Sequence, residues 1–158
     1  MNQLVTVTEK ELYTLIQMDD GKANALSFAM LEQLNGALDQ AAQAAKVVIL
    51  AGRQGKFSAG FDLSVMGQGG DAMIDLLRNG ASLSRRLLDF ETPVILAVSG
   101  HALAMGALLL LSADYRIGVE GNYKLGLNEV AIGMTLPHFG VELARARLSK
   151  RHLNTAVG

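Results

Sequence analysis

The stretch from Pro93 to Asp114, PVILAVSGHALAMGALLLLSAD, constrains the chain more than any other. Pro93 suits the first position of a strand, and Val94, Ile95, Leu96, Ala97 and Val98 form the short apolar run that fills a fully buried one. Ser99 and Gly100 break the run. From about Leu103 the chain is apolar on every side through Leu111, which predicts a helix buried all round and too short to span a membrane. The join between such a strand and such a helix leaves unpaired backbone N–H groups at the positive end of the helix dipole. Developing negative charge on a ligand is stabilised there, so the join is a candidate oxyanion site.

The flanking segments predict the layers that bury this centre. Leu4 to Val7 and Leu12 to Ile16 read as a hairpin turning near Glu9 and Lys10. After a turn at Asp19 to Lys22 and a loop at Asn24-Ala25-Leu26, Ser27 is expected to N-cap a helix. The apolar face of that helix is Met30, Leu31, Leu34, Leu38, Ala41, Ala42 and Ala45. Val47 to Leu50 predicts a second buried strand, followed by a glycine-bearing loop at Gly52 to Lys56. Gly67-Gln68-Gly69-Gly70 lacks the spacing and the preceding strand of a dinucleotide fingerprint and reads as a hinge or lid. Asp71 is expected to cap a helix reaching about Phe90, with Ile74, Leu77, Ala81, Leu87 and Leu88 on its apolar face. Tyr115 to Val119 predicts another strand, Gly121-Asn122 a turn and Tyr123 to Leu125 a short return. Asn128-Glu129 opens a loop or helical turn, and Pro137 starts an amphipathic helix carrying Val141, Leu143, Ala144 and Leu148. This order of strands and helices predicts α/β layering with buried parallel strands.

Composition narrows the function classes. The 158 residues are half apolar and form one expected domain, 1–158, with a sizeable core. Fourteen basic residues against fifteen acidic ones mark no nucleic-acid surface. The absence of cysteine excludes disulfides and thiolate metal sites, and no basic-plus-apolar signal opens the chain, so a cytoplasmic location is expected. The final LSKRHLNTAVG reads as the start of a helix without a stop, so whether the chain is a fragment of something longer stays open.

Two strand-to-helix joins share one design, at Val47 to Leu63 and at Val94 to Gly106. Phe57-Ser58-Ala59-Gly60-Phe61-Asp62-Leu63 resembles the first signature of the crotonase (enoyl-CoA hydratase/isomerase) superfamily. Gly100-His101-Ala102-Leu103-Ala104-Met105-Gly106, followed by Ala113-Asp114-Tyr115-Arg116-Ile117, resembles the second, and Asn24-Ala25-Leu26 matches the early family loop. The resemblance covers nearly the whole chain. It implies a spiral of repeated β-β-α units and leaves open whether the C-terminal helical part is missing. It further implies an acyl-CoA thioester ligand, no cofactor other than the coenzyme A of the substrate, no metal, no nucleic-acid or membrane partner, and a homotrimer or dimer of trimers.

The resemblance also implies roles. The thioester oxygen would be held by the backbone N–H groups of Ala59 and Met105, where Met105 replaces the usual glycine and would narrow the pocket. Of the two carboxylates of the hydratases, the first falls at Leu108, which cannot transfer a proton, and the second at Glu129. Asp114-Tyr115-Arg116-Ile117 with Gly126-Leu127-Asn128-Glu129 is most similar to the mitochondrial Δ3,Δ2-enoyl-CoA isomerases. Lys22, Asn24, Ala25, Leu26, Gly60, Phe61, Asp62, Leu63, Gly106, Leu108 and His138 would surround the substrate, with Lys22 and Lys56 toward the CoA phosphates.

Adding water to a double bond asks for two positioned acid/base groups, whereas shifting the bond needs one. The expected reaction is therefore conversion of a 3-enoyl to a 2-enoyl thioester, with Glu129 moving the proton and the oxyanion site stabilising the dienolate. Leu125, Leu127, Val130 and Ile132 are expected to desolvate Glu129. Two alternatives stay open: a hydratase or other crotonase reaction, and a catalytically silent acyl-CoA-binding or assembly protein. Asp62 and Asp114 read as structural carboxylates, His101 and His138 lack metal-ligand spacing, and Ser58 lacks a nucleophile-elbow context.

Overall fold

The computed structural model describes residues 2–157; Met1 and Gly158, the ends of the expected domain, lie outside the described residues. The chain winds through four β-β-α units. The first holds β1 (Val5–Glu9), β2 (Tyr13–Met18), the two-residue β3 (Ala25–Leu26) and α1 (Phe28–Ala44). The second holds β4 (Val47–Ala51), β5 (Gly55–Ser58), β6 (Gly60–Phe61), a single turn α2 (Leu63–Met66) and α3 (Gly70–Leu88). The third holds β7 (Val94–Val98), β8 (Gly100–Leu103) and α4 (Met105–Ser112). The fourth holds β9 (Tyr115–Gly118), β10 (Leu125–Gly126), a 3-10 turn at Val130–Ile132 and α5 (His138–Arg147), after which α6 (Lys150–Val157) follows.

Both long strands of the first unit and the first strand of each later unit enter one sheet, in the order β1-β2-β4-β7-β9, and the second strands of the later units enter another, β10-β8-β5. Among the described ladders β1–β2 alone is antiparallel; the others run parallel, as helical crossovers require. A third ladder pairs β3 with β6. In β7, Val94, Leu96 and Val98 are buried while Ile95 and Ala97 are half-buried, so the strand is less enclosed than its apolar run predicts. Ser99 and Gly100 bend the chain from one sheet into the next.

Four expectations about elements are corrected. The α3 face is Leu76, Gly80, Leu83, Ser84 and Leu87, whereas Ile74 and Leu88 are exposed. The reason is Gly80: a Cβ there would stand 2.4 Å from Phe61 Cζ, so the ring lies across bare helix backbone and pulls α3 round onto that residue. The N-cap is Gly69, with no side-chain cap bond, and Asp71 sits within the first turn. Tyr123 to Leu125 does not return along β9; β10 pairs with β8 in the other sheet. On α1, Ser27 caps through Met30 N–H as expected, but Ala37 takes a buried place and Ala42 and Ala45 are exposed.

Nearly all of α4 is buried, so its terminal carbonyls need partners. Arg147 supplies them from α5, donating to Leu111 O at 2.9 Å and Ala113 O at 2.7 Å, where its charge also complements the helix dipole. Asp114 clasps the start of β7: its carboxylate accepts from Val94 N–H at 2.8 Å while its own N–H donates to Val94 O. Among the described residues no helix is long and apolar enough to cross a membrane.

Candidate active site

The site begins with the loop before β3. The Asp20 carboxylate accepts from the N–H groups of Lys22, Asn24 and Ala25. Burial alone would raise its pKa, but these bonds, with Arg53 nearby, outweigh it and hold the carboxyl below the usual range. Asn24, in the left-handed region at φ 51°, is fully buried. Its amide donates to Met18 O and Phe57 O and its Oδ1 accepts from Asp20 N–H. The side chain thus ties β2 to β5 and offers nothing to a ligand. Ser58 Oγ donates to Asn24 O and accepts from Gly60 N–H, which fixes the reversal between β5 and β6.

That reversal corrects one expected donor. Ala59 N–H already donates to Ala23 O at 3.0 Å. Three residues on, Asp62 N–H donates to Leu26 O. Successive N–H groups of a strand point to opposite sides, so the Phe61 N–H is turned away from β3. The start of α4 lies close by, against Gly60. There Ala104 takes φ 51° and ψ −124° and donates its N–H to Gly126 O, while the Met105 N–H has no partner among the described residues. Gly60, at φ +94°, is where the two segments touch: a Cβ would lie 2.8 Å from Ala104 Cβ and 3.2 Å from Met105 N. The two joins therefore do face one another.

Beside this junction lies a cavity of about 740 Å³. Phe61, Leu63, Met66, Met73 and Leu77 line one part, and Leu103, Ala104, Asn128, Glu129, Ile132, Met134 and Pro137 another. Glu129 is only 6% exposed and its Oε2 has no hydrogen-bond partner. Burial raises its pKa, opposed by its own backbone N–H. The burial has a different source from the one expected: Leu127 is buried, but Leu125, Val130 and Ile132 are largely exposed. The segment is held instead by bonds from Ile132 and Met134 N–H to Glu129 O and from Leu127 N–H to Ala156 O in α6.

The remaining expected residues fall into two groups. Gly60, Phe61 and Leu63 border the site. Met105 has a buried side chain directed toward Gly80, so it does not narrow the cavity. Gly106 is a packing position, since a Cβ would meet Ser58 O at 2.5 Å. Leu108 is wholly buried and lies against Gly140 of α5, outside the cavity lining. Ala25 and Leu26 stand behind the wall in β3, and Asp62 caps α2 by accepting from Ser64 N–H. Lys22 and His138 are exposed and outside the lining. His101 Nδ1 accepts from Lys124 N–H and packs edge-on against Tyr123. Among the described residues no group of three His, Cys, Asp or Glu side chains is placed to hold a metal.

Motif reading missed Met66, Met73, Leu77, Asn128 and Met134. Met73 and Leu77 carry the i, i+4 signal of one helix face, and Asn128 Oδ1 is a second buried polar atom without a partner.

A spiral of β-β-α units with a buried carboxylate beside two facing strand-to-helix joins defines a crotonase-like fold. The chain belongs to the enoyl-CoA hydratase/isomerase family, whose model matches residues 8–157. An enoyl-CoA hydratase/isomerase family protein from Pseudomonas syringae is 47% identical with a TM-score of 0.95, over 98% of this chain and 67% of that one. Human mitochondrial Δ3-Δ2-enoyl-CoA isomerase is 27% identical with a TM-score of 0.89, over 98% and 62%. A probable enoyl-CoA hydratase of Bacillus subtilis is 32% identical over 139 residues, 85% of this chain and 53% of that protein. The chain thus spans about half the length of the curated relatives it matches.

Proposed function

We propose that this chain, or the longer protein containing it, binds an enoyl-CoA and shifts its double bond from the 3 to the 2 position, with Glu129 as the single acid/base. The observation that carries this reading is the cavity's carboxylate inventory: Glu129 alone among its lining residues is ionisable, and Leu108 is packed away against Gly140. Glu129 takes a proton from C2, the electron pair of that C–H bond moves onto the thioester oxygen to leave a dienolate, and the same carboxyl returns the proton at C4 as the C2–C3 double bond forms and the carbonyl is restored. The N–H groups of Phe61 and Met105 are the donors best disposed for the thioester oxygen as it gains charge, a role the sequence reading gave to Ala59 and Met105. No cofactor beyond coenzyme A enters this scheme. Hydration is the second reading, favoured by the hydratase name of the Bacillus subtilis relative.

Glu129→Gln keeps shape while removing the base. Conversion of 3-enoyl-CoA should fall by at least about a hundredfold, while calorimetry still registers acyl-CoA binding. Undiminished turnover by a folded Glu129→Gln protein would sink the assignment, and vigorous hydration of 2-enoyl-CoA by the unaltered protein would promote the second reading.

A further inference from the structure

The walls of the cavity bear on a narrower question, which part of acyl-CoA chemistry they admit. α3 contributes Met73 and Leu77, one turn apart on the same face; α2 contributes Met66, and the segment before α5 contributes Met134. Three methionines from three separate segments make a wall that is apolar and adjustable, because the unbranched thioether chain repacks around ligands of different length. Among the described residues no lysine, arginine or histidine lies in the lining, whose polar members are Asn128, Glu129 and Thr135.

We infer that the acyl tail accepted here is an uncharged hydrocarbon chain of variable length, and that tails ending in a carboxylate are rejected. The inference rests on the reading of this cavity as the acyl-CoA site. A terminal carboxylate entering it would lose its water against methionine and leucine side chains with no cation to pair with. It would also share a small apolar space with Glu129, whose ionised form it would repel. A methylene chain meets neither cost, and each added carbon buries more apolar surface against the α2–α3 wall.

Binding of saturated esters tests this without turnover. Hexanoyl-CoA and adipoyl-CoA have the same chain length and differ by the terminal carboxylate. Calorimetry on the full chain should show hexanoyl-CoA binding at least about a hundredfold more tightly. From butanoyl- to octanoyl-CoA, affinity should rise by about fourfold per methylene until the cavity is full. Met73→Lys places a cation in the wall and should shrink the hexanoyl-to-adipoyl ratio at least tenfold. Equal affinity for hexanoyl- and adipoyl-CoA, a flat length series, or a ratio indifferent to Met73→Lys overturns the inference while leaving the acyl-CoA reading intact. Failure of every ester to bind a folded protein overturns both.

Discussion

Glu129 sits under opposing demands. A buried carboxyl with an unpartnered oxygen favours the protonated form, yet the base proposed here must be ionised to work. Its raised pKa sets the sign of a stability effect. The folded state binds the proton more tightly than the unfolded chain, so this group contributes stability at low pH that is lost as pH rises through its folded pKa. Glu129→Gln should therefore stabilise the protein at neutral and alkaline pH by about 1 kcal/mol or more, and the gain should vanish as pH falls to the ordinary glutamate range. Thermal melts of the two proteins across pH read this directly, and a difference independent of pH would contradict it. Glu129's place in the cavity was legible from its motif, but the N–H proposed here as an oxyanion donor, that of Phe61, lies two residues beyond the expected Ala59. Motif spacing locates a tight glycine-bearing turn; it does not say which of its successive N–H groups is already engaged. Ala59 is engaged by Ala23, and that contact joins segments far apart in the chain.

Between elements, the decisive dimensions are those where backbone meets backbone. α4 approaches β5 so closely at Gly106 that a methyl group would collide with Ser58 O, and Ser58 is the residue whose hydroxyl fixes the β5–β6 reversal. Gly106→Ala should cost about 1–3 kcal/mol by overpacking and displace the Met105 N–H from its place opposite β6. Chemical denaturation and turnover of the same variant check both effects; a variant as stable and active as the parent would show that the contact yields freely. The longer strands and helices were legible, because runs such as Val47 to Leu50 and Val94 to Val98 have few other solutions, but β3, β5, β6 and β8 were read as loops or breaks, being short and carrying glycine or polar residues. The facing of α3 was not, because an apolar count gives Gly80 no weight, although the Phe61 ring covers it. The destination of β10 was also hidden: two residues, Leu125 and Gly126, carry too little pattern to say which sheet they join.

On the scale of the molecule, β9 closes one edge of the five-stranded sheet with exposed Tyr115 and Ile117, and exposed Val119 follows. An apolar strand edge of this kind invites pairing with another chain. The homotrimer implied by the family resemblance offers one such cover, and Ile117→Lys should then shift sedimentation from trimer toward monomer; a parent that sediments as a monomer would remove the proposal. The opposite end of the chain has another office. Ala156 O accepts from Leu127 N–H at 2.8 Å, two residues ahead of Glu129, so α6 braces the loop after β10 that presents the carboxyl. The described lining residues all lie at or before Pro137, so a chain cut short ahead of residue 156 would keep every one of them and lose the bond that steadies the segment carrying Glu129.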